Sequence, residues 1–131
     1  SKEEALKEFD RLGDDFLVTN EGRVREAIET RAANSVLVRP NQTGTLTRAR
    51  RVSEMAKRAG WGRVVSARSG ETCDSTISDL AVALDSGQLK VGSITGSERQ
   101  SKYNRLLEIC LEYQGEWAGS TALAFNLPRE W

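Results

Sequence analysis

Four short stretches of this chain carry side chains able to act on a small molecule. Asp14 and Asp15 are adjacent carboxylates, which suit a divalent cation and equally suit an ordinary turn or helix cap. Arg39 ends an apolar run and precedes Pro40-Asn-Gln-Thr-Gly-Thr45, the composition of a strand end followed by a turn. Arg68-Ser-Gly-Glu-Thr72 sets a guanidinium and a hydroxyl on flexible backbone beside an expected helix start, a combination that suits a phosphate or carboxylate and also an unspecialised loop. Lys90 lies in an apolar run, where an ammonium needs a partner or a cavity. The chain has no histidine, which removes His-based acid–base chemistry, Ser-His-Asp and Cys-His triads and most zinc sites. Any proton transfer must come from carboxylates, lysines or a partner segment. Together an acid, two arginines, a serine and a lysine favour an anionic ligand, with or without a metal.

These stretches sit at the ends of apolar runs in an alternation of strand and helix. Residues 23–33 place Val24, Ala27, Ile28 and Ala32 on one helical stripe. The β-branched run Ser35–Arg39 reads as a strand closed by Pro40-Asn41. A helix over about 46–59 turns Val52, Met55, Ala56 and Ala59 inward and Arg48, Arg51 and Lys57 outward, with Gly60 as its stop. The next strand is 63–66, followed by a helix over about 75–85, a strand over 88–91 and a last helix over about 97–113. That last helix is expected to bury Tyr103, Leu106, Leu107 and either Cys110 or Leu111. The stretch from Trp117 to Trp131 has no clear period, and Trp117, Phe125 and Trp131 are expected to serve in core or subunit packing.

This rhythm predicts an α/β fold of about four βα units on a parallel sheet. Polar or small residues close successive strands at Asp14, Arg39, Ala67 and Lys90, in steps of 25, 28 and 23 residues. Eight such units would close a barrel, of which four fit in 131 residues; an open doubly wound sheet is the competing arrangement, although no glycine-rich dinucleotide turn follows any strand. Either way the functional face is the carboxyl edge of the strands.

Composition narrows the classes further. Lys plus Arg number 19 and Asp plus Glu number 19, so the formal net charge is zero, and neither nucleic acid nor an anionic membrane is an expected partner. The cluster Arg48, Arg50, Arg51, Lys57, Arg58 and Arg63 lacks interleaved aromatics and reads as a solvated helix flank. The longest apolar stretch, Leu80–Leu84, is too short to span a bilayer, and no charged-then-apolar leader opens the chain. Ser rather than Met stands first, as expected of a processed chain or an excised piece. Cys73 and Cys110 fit no metal or disulfide framework and read as reduced thiols of a cytosolic protein.

Several of these stretches also carry a resemblance. Gly13-Asp-Asp-Phe-Leu-Val-Thr-Asn20, Asn41-Gln-Thr-Gly-Thr-Leu-Thr47, Ala67-Arg-Ser-Gly-Glu-Thr72, Gly87-Gln-Leu-Lys90, Ser97-Glu-Arg99 and Lys102-Tyr-Asn104 resemble, in order and spacing, the carboxyl-terminal half of enolase. The likeness runs from Gly13 to about Gly119, where Trp117-Ala-Gly119 is similar to the family's closing motif. It implies the second half of an enolase-type TIM-like barrel over residues 1–119 and a carboxyl-terminal tail over 120–131. Enolases interconvert 2-phosphoglycerate and phosphoenolpyruvate with magnesium. The resemblance implies Asp14 as a magnesium ligand, Arg68 and Ser69 as the phosphate-binding pair, and Lys90 as the lysine at the substrate's carboxylate end. Only that one magnesium ligand falls within these residues.

The departures bear on activity. Arg39 stands where the family has its proton-abstracting lysine, and Ala67 where it has an active-site histidine. A guanidinium, protonated under all ordinary conditions, holds an anion well and is a very poor base. Asp10 and Arg11 stand where the family has apolar barrel residues. The resemblance therefore implies a catalytically impaired enolase-like protein, kept as a binding or scaffold element of a larger assembly, in the cytoplasm or on cytoskeletal or axonemal structures. Two alternatives stay open: an active magnesium-dependent enolase with Lys90 moving the proton, and a sensor that binds a phosphorylated metabolite. A half barrel also calls for its amino-terminal half, a partner chain or a second copy to cover its open edges.

Overall fold

The computed structural model describes residues 12–14 and 16–122. Four parallel strands, β1 (Leu12–Gly13), β2 (Ser35–Val38), β3 (Gly62–Ser66) and β4 (Gly87–Lys90), form one sheet in sequence order. The register pairs Gly13 with Val36, Val38 with Val65, and Ser66 with Lys90. Between them run α1 (Glu21–Glu29), the single-turn α2 (Pro40–Thr43), α3 (Leu46–Arg58) and α4 (Thr76–Ala83). The long helix α5 (Ser97–Tyr113) and a 3₁₀ turn (Gly119–Ala122) come after β4. Among the described residues the strand order does not reverse, as in consecutive units of a (β/α) barrel. Among the described residues β1 and β4 each pair on one side only.

β2 and β3 form where β-branched residues run together, and the helices pack on alternate side chains of those strands. Val36, Val38 and Val65 meet Val24 and Ala27 of α1, Ala49, Val52 and Ala56 of α3, and Ala81 of α4 in one buried cluster. β2 is buried along its whole length, as a central strand of a parallel sheet must be. The helix starts obey capping chemistry. The Asn20 carboxamide accepts from the Gly22 and Arg23 amides, and the Thr45 hydroxyl accepts from the Arg48 amide.

The structure corrects several expected details. Residues 40–43 form a helical turn rather than a plain strand stop: Pro40 lacks only an amide that a first turn leaves unused, and Gly44 closes the turn in the left-handed region at φ 76°. α1 ends at Glu29, which leaves Ala32 exposed, and Ala59 is exposed beyond the end of α3. On α5, Leu107 and Leu111 are exposed, while Lys102 and Ile109 are the buried residues. Arg63 does not belong to the solvated basic flank. It is a buried residue of β3 whose guanidinium donates to the carbonyls of Leu84 and Asp85, and that burial pulls its pKa below the usual arginine value. Trp117 is exposed, so it supplies no core within the described residues; Phe125 and Trp131 lie outside them.

Candidate functional site

Each sequence-predicted site residue falls at the carboxyl end of its strand. Asp14 follows β1, Arg39 follows β2, Ala67, Arg68 and Ser69 follow β3, and Lys90 ends β4. Parallel strands lie about 4.8 Å apart, so the four strand ends span roughly 14 Å of one edge. Asp15, Asp10 and Arg11 lie outside the described residues.

Arg39 and Asp14 meet directly. The guanidinium Nη1 lies 2.8 Å from Asp14 Oδ1, and Nη2 donates to Oδ2 at 3.3 Å. This is an ion pair with one hydrogen bond across the exits of β1 and β2, in which the buried Asp14 Oδ1 accepts no hydrogen bond; the Arg39 side chain is 13% exposed and that of Asp14 37%. The main chain around it is held by Thr19, a residue to which the sequence motifs assign no role. The buried Thr19 hydroxyl donates to the Leu37 carbonyl at 3.0 Å and accepts from the Arg39 amide at 2.9 Å, fixing the exit of β2. Thr19 and its neighbour Val18 both adopt positive φ, at 52° and 40°. Two β-branched residues in that region mark a strained turn held by its surroundings. Gly13 is required beneath it, because a side chain there would run into buried Leu17.

The other end of the edge is built differently. Ala67 is buried, and its amide donates to the Lys90 carbonyl at 2.9 Å, extending the β3–β4 ladder by one step. Arg68 and Ser69 are exposed, and so is Lys90, which therefore does not need the buried partner its apolar run suggested. The helix after this loop begins at Thr76, so Ser69 is not beside a helix start. The loop is pinned from below. The Glu71 carboxylate accepts from the Arg68 amide at 2.7 Å and lies 3.4 Å from the Lys102 ammonium. Lys102 is wholly buried on α5 and donates to the carbonyls of Thr72 at 2.8 Å and Glu98 at 2.6 Å. Ser78 of α4 donates to the Lys102 carbonyl at 2.8 Å, tying the two helices together at that level.

Chemically, one end of the edge presents a neutralised ion pair and the other presents exposed cationic and hydroxyl groups. Lys90, Arg68 and Ser69 can hold an anion. Arg39, a guanidinium, is of a chemical type that binds anions well and serves poorly as a base. Among the described residues no three His, Cys, Asp or Glu side chains gather as a metal cluster, and no helix is long and apolar enough to cross a membrane. Both cysteines are free thiols, Cys73 exposed and Cys110 partly covered.

Thr19, Glu71 and Lys102 all lie within the stretches that carry the resemblance, but only their contacts reveal their work. A family model described as the enolase C-terminal TIM barrel domain matches residues 2–124, nearly the whole length. With four parallel βα units in unbroken order beneath that match, the chain belongs to the enolase family, in its C-terminal barrel domain.

Proposed function

We propose that this domain is an enolase-family barrel segment that no longer supports the dehydration of 2-phosphoglycerate and works as a binding or scaffold element in a larger assembly. The observation that carries the reading is the Arg39–Asp14 pair at 2.8 Å. Where the resemblance implies a neutral lysine ready to accept a proton, a guanidinium stands locked onto the neighbouring carboxylate. A guanidinium is a very poor general base, and two nitrogens of this one lie against Asp14. Ala67, at the position implied for a histidine, adds no polar group to replace what is lost.

Four strands are half of the eight that close such a barrel, so the working unit needs an amino-terminal half, a partner chain or a second copy along β1 and β4. A cytoplasmic or cytoskeletal setting belongs to this reading through family analogy. A second reading, a sensor for a phosphorylated metabolite, draws support from the exposed Arg68, Ser69 and Lys90 at one rim.

The test is turnover of 2-phosphoglycerate by the intact protein and by an Arg39→Lys, Ala67→His double variant. The wild type should fall at least about 10²-fold short of a working enolase, the contribution of one placed general base. The double variant should recover a measurable part of it. Turnover by the wild type at the rate of a working enolase overturns the proposal.

A further inference from the structure

At the opposite, amino edge of the sheet, β3 and β4 begin beside a cavity of about 380 Å³ whose lining includes Lys57, Trp61, Arg63, Asp85, Ala118 and Ala122. Arg63 is only 9% exposed, and the groups that accept its hydrogen bonds are all neutral. Nη1 donates to the Ser53 hydroxyl at 3.4 Å and to the Leu84 carbonyl at 2.7 Å, and Nη2 donates to the Asp85 carbonyl. A guanidinium carries five N–H donors, so Nε–H and one donor of Nη2 remain. Nε and Nη2 flank one edge of the guanidinium plane, an edge that can grip a carboxylate through two parallel bonds. Among the described residues no carboxylate takes that edge. Asp85 directs its carboxylate to the Lys57 ammonium at 2.9 Å instead. Nε has no partner, yet it is not one of the buried unpartnered atoms, so it reaches accessible space beside the cavity that Arg63 lines. Burial pulls the Arg63 pKa down, and the charge of Asp85 only partly opposes that pull. Capping the carbonyls that end α4 accounts for the donors already used and leaves this edge unexplained.

We infer that this amino-edge cavity is a binding site for a small organic carboxylate, gripped by the unused edge of Arg63. The charged residues of the lining are Lys57, Arg63 and Asp85, which sum to +1. A monocarboxylate cancels that charge, whereas a phosphate dianion would overshoot it. Trp61, Ala118 and Ala122 offer apolar surface to the carbon skeleton of such a ligand. The Lys57 and Asp85 side chains are 58% and 79% exposed, so their pair can open to admit the ligand at little cost. From Arg63 to Ala67 the chain rises about 13 Å along β3, which separates this cavity from the residues at the carboxyl edge. The inference therefore goes beyond the proposed function and does not depend on it.

The experiment follows the Arg63 Nε–H and the Trp61 indole N–H by NMR in the isotope-labelled intact protein, at an ionic strength held constant with sodium chloride. Acetate, phenylacetate and inorganic phosphate are titrated separately. Both carboxylates should move the Arg63 signal saturably. Phenylacetate should bind at least about threefold tighter than acetate, because its ring adds apolar contact, and phosphate should bind more weakly than either. Asp85→Asn removes the competing carboxylate and should tighten phenylacetate by about twofold or more. Arg63→Lys keeps a positive charge without the two-donor edge and should weaken phenylacetate at least about tenfold, read at Trp61, provided a thermal melt shows the variant folded. The wild-type titrations and Asp85→Asn stand without that variant. No saturable movement of the Arg63 signal by either carboxylate would overturn the inference. So would phosphate binding tighter than both carboxylates, or a saturable Trp61 shift that leaves Arg63 Nε–H unmoved. None of these outcomes depends on turnover, so failure here leaves the proposed function standing.

Discussion

The two ends of the carboxyl edge are built on opposite plans. Between β1 and β2 the charged groups are turned on each other: Arg39 and Asp14 pair, and Thr19 closes the backbone beneath them. Between β3 and β4 they are turned outward, with Arg68, Ser69 and Lys90 exposed and their supporting loop anchored from behind by Glu71 and Lys102. The difference teaches that neighbouring strand ends on one edge can be finished on different plans: an ion pair closes one, and the other stays open on a support buried behind it.

The anchored end should be the most costly to disturb. Lys102→Met removes a wholly buried ammonium and leaves Glu71 and the carbonyls of Thr72 and Glu98 without that partner. Chemical denaturation should show a loss of about 3 kcal/mol, the usual result of breaking a buried charge pair from one side. A loss under about 1 kcal/mol would mean that the 68–72 loop is held by something else. The closed end comes next. Thr19→Val keeps the shape but strips the Arg39 amide and the Leu37 carbonyl of their hydroxyl partner, at about 1–3 kcal/mol. Thr19→Ser, which keeps the hydroxyl, should recover most of that. If Val and Ser cost the same, the clamp is not the source of the effect. Asp14→Asn should cost least of the three, at most about 1 kcal/mol, because the carboxylate is more than a third exposed.

How much of the molecule is legible in its residues depends on what each signal physically encodes. The βα rhythm and the strand ends are legible because β-branched runs such as Ser35–Val38 and stripes such as Val24 with Ala27 are direct imprints of burial. α2 is not, because proline reads as a strand breaker unless one knows that its missing amide would go unused in a first turn. Exposed Leu107 and Leu111 show that periodicity marks a face without saying what covers it. Lys102 escapes notice because a helical lysine is expected at the surface, and only the carbonyls of Thr72 and Glu98 explain its burial. Thr19 escapes because no spacing rule anticipates a positive φ at a β-branched residue. That Asp14, Arg39, Ala67 and Lys90 stand at strand ends is legible from the alternation alone. That Arg39 turns toward Asp14, which is the centre of the functional proposal, is a side-chain fact no spacing encodes.

The smallest expected effect concerns how α5 is carried by α4, and so how Lys102 reaches the open end. Arg105 of α5 grips Asp79 of α4 through Nη2 at 2.7 Å and Nε at 3.0 Å. The guanidinium hydrogen bonds hold the Asp79 carboxyl below the usual aspartate pKa, against a smaller opposing push from desolvation. A carboxyl depressed in the folded state adds stability that is fully present above its unfolded pKa of about 3.9 and fades as pH falls through the folded value. Asp79→Asn should therefore lower the melting temperature slightly near neutral pH, and the gap from wild type should close in acid below that value. Added salt should shrink it at neutral pH as well, because the pair is partly exposed to solvent. Asp74 and Asp85 are also depressed, by the Thr76 amide and by Lys57 respectively, so the wild type loses stability in acid for several reasons at once. Only the difference between the two melting curves reports on Asp79. A gap that persisted unchanged in acid would show that the asparagine acts through packing. The ion pair would then contribute nothing to the posture of α5, and the support of the open end would rest on Lys102 and Ser78.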